Sequence, residues 1–198
     1  MIDVNLSSFY FVPSSAIEVE TTISKLKNKG NPLFDMTPNI LKAVSKSLSP
    51  LISEFYNNCF LSGLYPEILK EARVVPIFKS GNSNDVNNYR PISNLSTINK
   101  IFEKLTYFRL LSFINYNEIL SRNQFGFRQN CNTTTAIFTL VTDILDTFNK
   151  KVFTIALFLD LKKAFDVVDF EILKYKLELY GIRGIAYYFL SSYIADRK

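Results

Sequence analysis

Apolar residues recur at intervals of three and four through much of the chain, which is the spacing of amphipathic α-helices. The helices that this pattern predicts cover residues 15–28, 97–115, 133–149, about 163–179 and about 185–195. Ser15, with Glu18 three positions later, is a candidate capping box for the first of them, and the polar stretch 28–32 ends it. The apolar stripes of 97–115 and 133–149 are expected to face a core.

Two more helices are predicted from residue pairs that typically begin a helix. Thr37-Pro38 and Ser49-Pro50 both place a capping hydroxyl before proline. Proline fits the first turn, because the amide hydrogen that it lacks has no partner there. Gly63 is expected to close the second helix. Two short packed helices are therefore predicted between residues 37 and 63.

Three other segments have the composition of β-strands. Residues 73–78 and 89–93 flank a polar loop and predict a hairpin, in which Pro76 favours an edge position because it donates no hydrogen bond. Residues 152–159 form the most hydrophobic run and predict a strand buried on both faces, which delivers Asp160 at its end. The predicted fold class is α+β, rich in helices, with a small antiparallel sheet.

Composition limits the chemistry. The chain has 198 residues, of which 47% are hydrophobic, so it is long enough for one domain or one lobe of a larger protein. Histidine is absent, which excludes Ser-His-Asp and Cys-His hydrolases and imidazole-bound metals. Any metal must be held by carboxylates, carbonyls and water. The net charge of +5 favours an anionic partner without establishing one.

The two cysteines, Cys59 and Cys131, provide neither a disulfide framework nor zinc-ligand spacing. We therefore expect no disulfides and an intracellular location, cytoplasmic or nuclear. The N-terminal residues contain no recognisable targeting signal, and no apolar run reaches the length of a membrane span, so no membrane partner is expected.

The most specific chemical feature is the segment 158–166, where a carboxylate follows an apolar run and Asp166 follows six residues later. A lone aspartate at a strand end is often a capping or loop residue, although ligands and metals commonly lie at strand ends. Residue 162 is lysine, so an Asp-x-Asp pair is missing, and glycine-rich phosphate-binding loops are absent as well. Spacing alone therefore leaves the role of Asp160 open.

Residues 159–168, Leu-Asp-Leu-Lys-Lys-Ala-Phe-Asp-Val-Val, are similar to the first active-site motif of reverse transcriptases of non-LTR retrotransposons of the jockey type. Further blocks resemble this family and stand in the order that it uses. They are Val75-Pro-Ile-Phe-Lys-Ser-Gly81, Asn88-Tyr-Arg-Pro-Ile-Ser93, Lys100-Ile-Phe-Glu-Lys104, Gln124-Phe-Gly-Phe-Arg128 with Thr133-Thr-Thr-Ala136, Tyr180-Gly-Ile182 and Ser192-Tyr-Ile-Ala-Asp-Arg197. Several such blocks in order are far more specific than one.

The resemblance implies a right-hand polymerase fold, with fingers and part of a palm. Residues 1–72 would form a helical N-terminal extension of the fingers, 73–150 the fingers hairpin and helices, and 151–198 the partial palm with the first catalytic motif. The implied activity is RNA-directed DNA synthesis with an RNA template, a DNA primer, dNTPs and two Mg²⁺ ions.

The resemblance also implies residue roles at the metal and the nucleotide. Asp160 would be the catalytic ligand of both Mg²⁺ ions, and the carbonyl of Leu161 would add a ligand to one of them. Lys79 and Arg90 would contact the β- and γ-phosphates of the incoming nucleotide. Phe165 would lie under the sugar and exclude a 2′-hydroxyl, with core packing as the alternative.

Three further residues, Gln124, Phe127 and Arg128, would support the template path or the core of the fingers. Asp166 is expected to open the next helix, because a carboxylate is favourable near the amide groups of a helix N-terminus. It is therefore interpreted as structural rather than metal-binding.

The sequence departs from the family in two motifs. The Pro-Gln-Gly segment and the aromatic-x-Asp-Asp turn, which completes the metal site, do not occur, and no two acidic residues are adjacent. We therefore expect this polypeptide alone to be inactive as a polymerase. Two alternatives are a nucleic-acid-binding module without chemistry, derived from such a polymerase, and an unrelated helical interaction protein.

Overall fold

The computed structural model describes residues 7–28, 36–161 and 164–197, which contain eight α-helices and one two-stranded sheet. The elements are α1 Ala16–Ser24, α2 Pro38–Ala43, α3 Ser45–Ser62, α4 Glu67–Lys70, β1 Ala72–Phe78, β2 Tyr89–Leu95, α5 Thr97–Tyr116, α6 Thr133–Asn149, α7 Phe170–Leu179 and α8 Gly184–Ile194. They form two compact units: the first comprises the described residues up to Phe113 and from Phe170 onward, and the second is Ile114–Asp169. The predicted class, helix-rich α+β with a small antiparallel sheet, is confirmed.

Aromatic rings form the core of the first unit. Tyr56 of α3, Phe102 of α5 and Phe189 of α8 are fully buried. Tyr56 and Phe102 meet edge to face, with ring centroids 5.0 Å apart, a favourable geometry for aromatic pairs. The other buried apolar residues include Val19, Ile23, Leu41, Phe60, Tyr65, Ile101, Leu105 and Ile182. This core holds α1, α3, α5 and α8 together.

The helix starts at Ser15 and Thr37 are confirmed. The Ser15 hydroxyl accepts a hydrogen bond from the Glu18 amide at 3.2 Å, and the Thr37 hydroxyl accepts one from the Ile40 amide at 3.4 Å. In a complete capping box the Glu18 side chain would accept a hydrogen bond from the Ser15 backbone amide. Here both carboxylate oxygens of Glu18 instead accept hydrogen bonds from Arg109. In the predicted break at 28–32, residues 29–32 lie outside the described residues.

The predicted start at Ser49-Pro50 is wrong. Helix α3 begins at Ser45 and contains Pro50 in its second turn. Proline costs the helix one hydrogen bond, the one to the carbonyl four residues earlier. The helix nevertheless continues through it, and Ser49, Ile52 and Tyr56 on this helix are buried. Gly63 closes α3 as predicted, with a left-handed φ of 69°, which glycine adopts without strain.

The predicted hairpin is confirmed. β1 and β2 pair antiparallel, and Pro76 lies opposite Pro91. In a two-stranded sheet each strand has one edge without a neighbour, so proline is tolerated there. Both strands of the hairpin lie in the first unit, at the positions that the sequence pattern predicts.

The second unit agrees with the sequence pattern in one element and not in another. α6 has the predicted bounds and begins with a capping box between Asn132 and Thr135, but none of its residues is buried, so the predicted core-facing stripe is wrong. Residues 152–159 are not a strand, and Phe153 is 98% exposed. A strand needs a hydrogen-bonded neighbour, and within the described residues the only sheet is β1–β2.

Helix α7 begins later than predicted. It starts at Phe170 rather than near residue 163, and residues 162 and 163 lie outside the described part of the chain. Asp166 lies in a turn before the helix, so the prediction that it opens the helix is wrong. Asp169, three positions later, immediately precedes α7. The predicted helix near 185–195 is confirmed as α8.

Both cysteines, Cys59 and Cys131, are free thiols. Burial raises the pKa of the Cys59 thiol. None of the helices in the described ranges combines the length and the apolar character needed to cross a membrane.

Candidate nucleotide and metal site

The register of the β-hairpin places Lys79 and Arg90 on one face. Arg90 pairs with Ile77, and side chains two positions apart on a strand share a face. The backbone of Lys79 donates a hydrogen bond to the Asn88 carbonyl at 2.8 Å, which extends the ladder by one pair. The two cations are therefore diagonal neighbours, about 7–8 Å apart at their backbones.

The loop between the strands has internal hydrogen bonds that define its shape. The Asp85 carboxylate accepts from the Asn87 amide at 2.9 Å, and the Asn88 side chain donates to the Asn82 carbonyl at 2.9 Å. The Tyr89 hydroxyl donates to the Ser83 carbonyl at 2.9 Å. These hydrogen bonds fix the backbone of the hairpin tip. They therefore also fix the point from which the Lys79 side chain extends.

Sequence reasoning missed Arg73 as a member of the same face. It pairs with Asn94 and stands four and six residues before Ile77 and Lys79 on β1. The signal was available, because side chains alternate between faces along a strand. Arg73, Arg90 and Lys79 thus give this face three cations, separated by Val75, Ile77 and Ile92, which are all exposed.

Asp160 lies in the second unit, in a segment without regular secondary structure. Asp160 is exposed, and so is its neighbour Leu161, at 73%. A carboxylate and a backbone carbonyl are hard oxygen ligands of the type that Mg²⁺ prefers. No group of three or more His, Cys, Asp or Glu side chains that could hold a metal occurs among the described residues. The donor type fits Mg²⁺, but these residues supply too few ligands to hold two ions.

Phe165 contacts Phe127 within the second unit. Their rings meet edge to face, with centroids 6.0 Å apart and planes at 85°. Phe127 is 87% exposed and Phe165 is 77% exposed, so neither ring is a core residue. Phe127 has a φ of 58°, which is uncommon for a bulky residue. The contact joins a predicted nucleotide-binding residue to a predicted template-supporting residue.

Gln124 and Arg128 lie in the turns on either side of Phe127. The Gln124 side-chain amide donates to the Gly126 carbonyl at 3.2 Å, and the Arg128 guanidinium donates to the Ser121 carbonyl at 3.0 Å. Arg128 also lines a polar cavity of about 520 Å³ together with Arg122 and Glu118. These hydrogen bonds give both residues a part in maintaining the turns.

The chain is similar to polymerases of mobile elements from Drosophila melanogaster. It is 32% identical over 198 aligned residues to the probable RNA-directed DNA polymerase from transposon BS, covering 94% of this chain and 21% of that protein. It is 31% identical over 170 residues to the RNA-directed DNA polymerase from mobile element jockey, covering 83% and 19%. It is 32% identical over 158 residues to the probable RNA-directed DNA polymerase from transposon X-element, covering 79% and 17%.

The chain spans about a fifth of the length of these relatives. The resemblance to reverse transcriptases of jockey-like non-LTR retrotransposons is confirmed by these similarities. Residues 77–197 match the family described as reverse transcriptase (RNA-dependent DNA polymerase). This range includes the hairpin tip with Lys79 and Arg90, the turn around Phe127, and Asp160 with Phe165. The chain belongs to the reverse transcriptase family.

Proposed function

We propose that this chain acts as part of a retrotransposon polymerase that copies an RNA template into DNA. The observation that carries the proposal is the family match over residues 77–197, which contains Asp160 directly after the apolar run 152–159. The partners would be the RNA template, a DNA primer and dNTPs. The names of the relatives, RNA-directed DNA polymerases of mobile elements, support this reaction.

Lys79 and Arg90 would bind the triphosphate of the incoming dNTP. The support is their shared face on the hairpin and their diagonal spacing. A planar guanidinium binds two phosphate oxygens at once, whereas an ammonium acts as a point charge. The two cations are therefore suited to bind neighbouring phosphate groups of one triphosphate.

Asp160 and the Leu161 carbonyl would be ligands of Mg²⁺. When bound, two Mg²⁺ ions would supply activation of the primer 3′-hydroxyl and neutralisation of the leaving pyrophosphate. The exposure of Asp160 supports this role, because the carboxylate is open to an ion and its substrate. The described residues do not complete the ligand set, so further oxygen ligands are required for catalysis.

Phe165 would pack against the sugar of the nucleotide and exclude a 2′-hydroxyl. Its contact with Phe127 supports this, since the neighbouring ring fixes the position of an otherwise exposed side chain.

Gln124, Phe127 and Arg128 would support the template. The functional subdivision would follow the sequence, with residues 1–72 as an extension of the fingers, 73–150 as the fingers and 151–198 as part of the palm. We also propose an intracellular location, cytoplasmic or nuclear, because the sequence contains only two cysteines and no disulfide framework.

The test of the catalytic role is primer extension on an RNA template by the full-length product of the gene that encodes this chain. Asp160→Asn should lower the rate about a thousandfold or more, because removing one essential member of a cooperative site removes most of its acceleration. Asp166→Asn, which removes a carboxylate from the same exposed segment, is the matched control and should leave the rate nearly unchanged. Equal rates for Asp160→Asn and the unmodified protein would contradict the proposal.

The same assay on the 198-residue chain alone should show no extension. A single carboxylate cannot hold two dications with enough ligands, and the described residues contain no larger group. Templated synthesis by the isolated chain would contradict this expectation.

Nucleotide binding can be tested on the 198-residue chain with a fluorescent deoxyadenosine triphosphate. Lys79→Gln and Arg90→Gln should each weaken binding about tenfold, because each removes a charged hydrogen-bond donor. Arg90→Lys should restore only part of the affinity, since the ammonium lacks the bidentate geometry. Lys46→Gln on α3 is the control, because it removes an exposed cation that lines none of the cavities described. Unchanged affinity in both hairpin variants would overturn the assignment.

A further inference from the structure

The contact between the rings of Phe127 and Phe165 joins two turns of the second unit. Phe127 lies in the turn at residues 126–127, before α6, and Phe165 lies in the turn at residues 164–167, after Asp160. The edge-to-face geometry, with centroids 6.0 Å apart and planes at 85°, is favourable for aromatic pairs. The contact therefore connects turns that the whole of α6 separates in the sequence.

The backbone of Phe127 has a conformation that its side chain disfavours. Its φ of 58° lies in the left-handed region, where the Cβ of an L-residue comes too close to the following carbonyl oxygen. Gly126 directly precedes it and could adopt this conformation without strain, yet the φ of Gly126 is not in the left-handed range. The other non-glycine residues with positive φ in the described ranges are all polar or charged. Strained backbone of this kind persists where the surrounding structure holds it, commonly at functional sites.

Side chains on either side of Phe127 hold this turn. The Gln124 side-chain amide donates a hydrogen bond to the Gly126 carbonyl at 3.2 Å. The Arg128 guanidinium donates one to the Ser121 carbonyl at 3.0 Å. These two bonds constrain the backbone before and after Phe127, and therefore the point from which its ring extends.

The exposure of both rings excludes a role in a hydrophobic core. Phe127 is 87% exposed and Phe165 is 77% exposed, so neither ring contributes much to stability through burial. An exposed side chain exchanges between staggered rotamers unless a neighbour restricts it. For Phe165 the neighbouring aromatic ring is that of Phe127.

Exclusion of a 2′-hydroxyl by Phe165 requires a ring that cannot move aside. Ribonucleotides and deoxyribonucleotides differ at this position by one oxygen atom, so a small displacement of the ring admits both. Groups that determine specificity have to be held within about 0.5 Å by packing around them. The contact with Phe127 supplies packing to a side chain that is otherwise open to solvent.

We propose that Phe127 is a positioning residue for sugar selection, which acts through Phe165 and holds its ring against the sugar of the incoming nucleotide. This inference rests on the proposed role of Phe165. It assigns the strained conformation of Phe127 to the choice between deoxyribonucleotides and ribonucleotides rather than to support of the template.

The test is primer extension by the full-length product of the gene, with kcat/KM measured for deoxyadenosine triphosphate and for adenosine triphosphate. Phe127→Leu should lower the ratio of the two values about tenfold, through faster incorporation of adenosine triphosphate. Phe127→Tyr keeps the ring and should keep the ratio. Phe138→Leu is the control, because it removes another exposed ring, 72% exposed and on α6, and should leave the ratio unchanged. A ratio that Phe127→Leu does not change would overturn the proposal, and an altered KM for the template alone would assign Phe127 to the template.

A double-mutant cycle separates this inference from the role of Phe165 itself. Phe165→Ala alone tests that role, and it should lower the ratio at least as much as Phe127→Leu. Combining the two substitutions should add little to the effect of Phe165→Ala, because residues that act through one contact are not additive. Additive effects would show that Phe127 acts independently. Loss of selectivity in Phe165→Ala without any loss in Phe127→Leu would leave the role of Phe165 standing and refute that of Phe127.

Phe127→Gly distinguishes positioning from folding. Glycine adopts a φ of 58° without strain, so the thermal melting temperature of this variant should be no lower than that of the unmodified protein. Its selectivity should fall as in Phe127→Leu, because the ring is lost. A lower melting temperature with an unchanged ratio would show that the ring serves stability and would overturn the proposal.

Discussion

At the scale of single residues, Arg109 holds the N-terminal segment against α5. Its guanidinium donates to both carboxylate oxygens of Glu18 at 2.8 Å and to the Val12 carbonyl at 2.5 Å. It also lies over the rings of Phe11 and Tyr56, 5.1 and 5.8 Å from their centroids. The Arg109 side chain is 10% exposed, so its charge depends on these partners for its solvation.

Arg109→Leu should lower the free energy of unfolding by about 2–3 kcal/mol, because it leaves the partly buried Glu18 carboxylate without its partner. The value is toward the lower end for a buried pair, since Glu18 is 35% exposed and water replaces part of the interaction. Urea denaturation measures the change. Arg122→Leu, which breaks an exposed pair with Glu118 at 3.9 Å, is the control and should change the stability by less than about 1 kcal/mol. Similar effects of the two substitutions would contradict the prediction.

Tyr193 gives the protein a pH dependence in the alkaline range. Burial raises the pKa of Tyr193 to about 12, and its hydrogen bond to Glu103 acts in the same direction. Burial also raises the pKa of Tyr56 and of Tyr65 above the ordinary tyrosine value. Each hydroxyl is thus held neutral in the folded state over a range in which the unfolded chain ionises.

The tyrosine contribution to stability should be complete below pH 10 and should be lost as pH rises toward 12, because only the unfolded state readily releases these protons. Urea midpoints measured between pH 8 and pH 11 test the sign. Tyr193→Phe keeps the ring and removes the ionisable hydroxyl, so its stability should fall less steeply above pH 10. An equally steep fall in this variant would show that Tyr193 does not contribute.

At the scale of elements, Gly181 permits a close contact between the chain after α7 and the N-terminal segment. Its φ is 88°, its carbonyl accepts a hydrogen bond from the Phe9 amide at 2.9 Å, and a Cβ at this position would lie 2.6 Å from the Ser7 carbonyl oxygen. Only glycine satisfies both the backbone conformation and the distance.

Gly181→Ala should therefore lower the free energy of unfolding by about 2 kcal/mol or more, from the left-handed conformation and from the displacement of residues 7–9. Gly126→Ala is the matched control, since Gly126 has no neighbour within 4 Å of an added Cβ and its φ is not in the left-handed range. Thermal unfolding of the two variants gives the comparison. A loss of stability at Gly126 as large as that at Gly181 would argue against the steric explanation.

Helix α6 shows which features of a helix depend on neighbouring residues in the sequence and which depend on tertiary packing. Asn132 and Thr135 form a capping box, and the helix covers the residues that the apolar period predicts. Capping and period depend on residues within a few positions of each other. Burial of the stripe depends on a partner element, and Ile137, Leu145 and Phe148 are exposed at 58%, 56% and 77%. The sequence therefore located the helix correctly and overestimated its packing.

At the scale of the whole molecule, the two units differ in how much they bury. The first contains the aromatic core around Tyr56, Phe102 and Phe189. In the second, none of the described residues between 114 and 169 is buried. The most exposed apolar stretch is 152–161, in which Phe153, Ile155 and Leu157 are 98%, 94% and 81% exposed. Such an exposed apolar run, which belongs to no sheet among the described residues, is a site for association with other strands.

The 198-residue chain should consequently self-associate through this run. Phe153→Thr/Leu157→Thr should reduce light scattering and the binding of a hydrophobic dye, while Ile17→Thr/Ile68→Thr should change them little. The control pair removes two apolar side chains outside the run that are 76% and 75% exposed, and single exposed apolar residues are normal on protein surfaces. Equal effects of the two double variants would show that association does not depend on the run.

The sequence by itself determined most helix bounds, the caps at Ser15 and Thr37, the closure at Gly63 and the hairpin, because each depends on residues close together in the chain. Its motifs also identified the family. The roles of the individual site residues remain predictions, although the hairpin register groups Lys79 with Arg90 and the turn groups Phe127 with Phe165.

Tertiary structure decided the features that join distant positions. Arg109 forms an ion pair with Glu18, 91 positions away in the sequence, and α3 continues through Pro50. One cavity of the first unit is lined by residues 25–27 together with residues of α5. The run 152–159 has a strand-like sequence but no strand, since a β-strand exists only with a hydrogen-bonded neighbour. Local periodicity specifies what a segment can form, and the packing partners decide whether it is formed and buried.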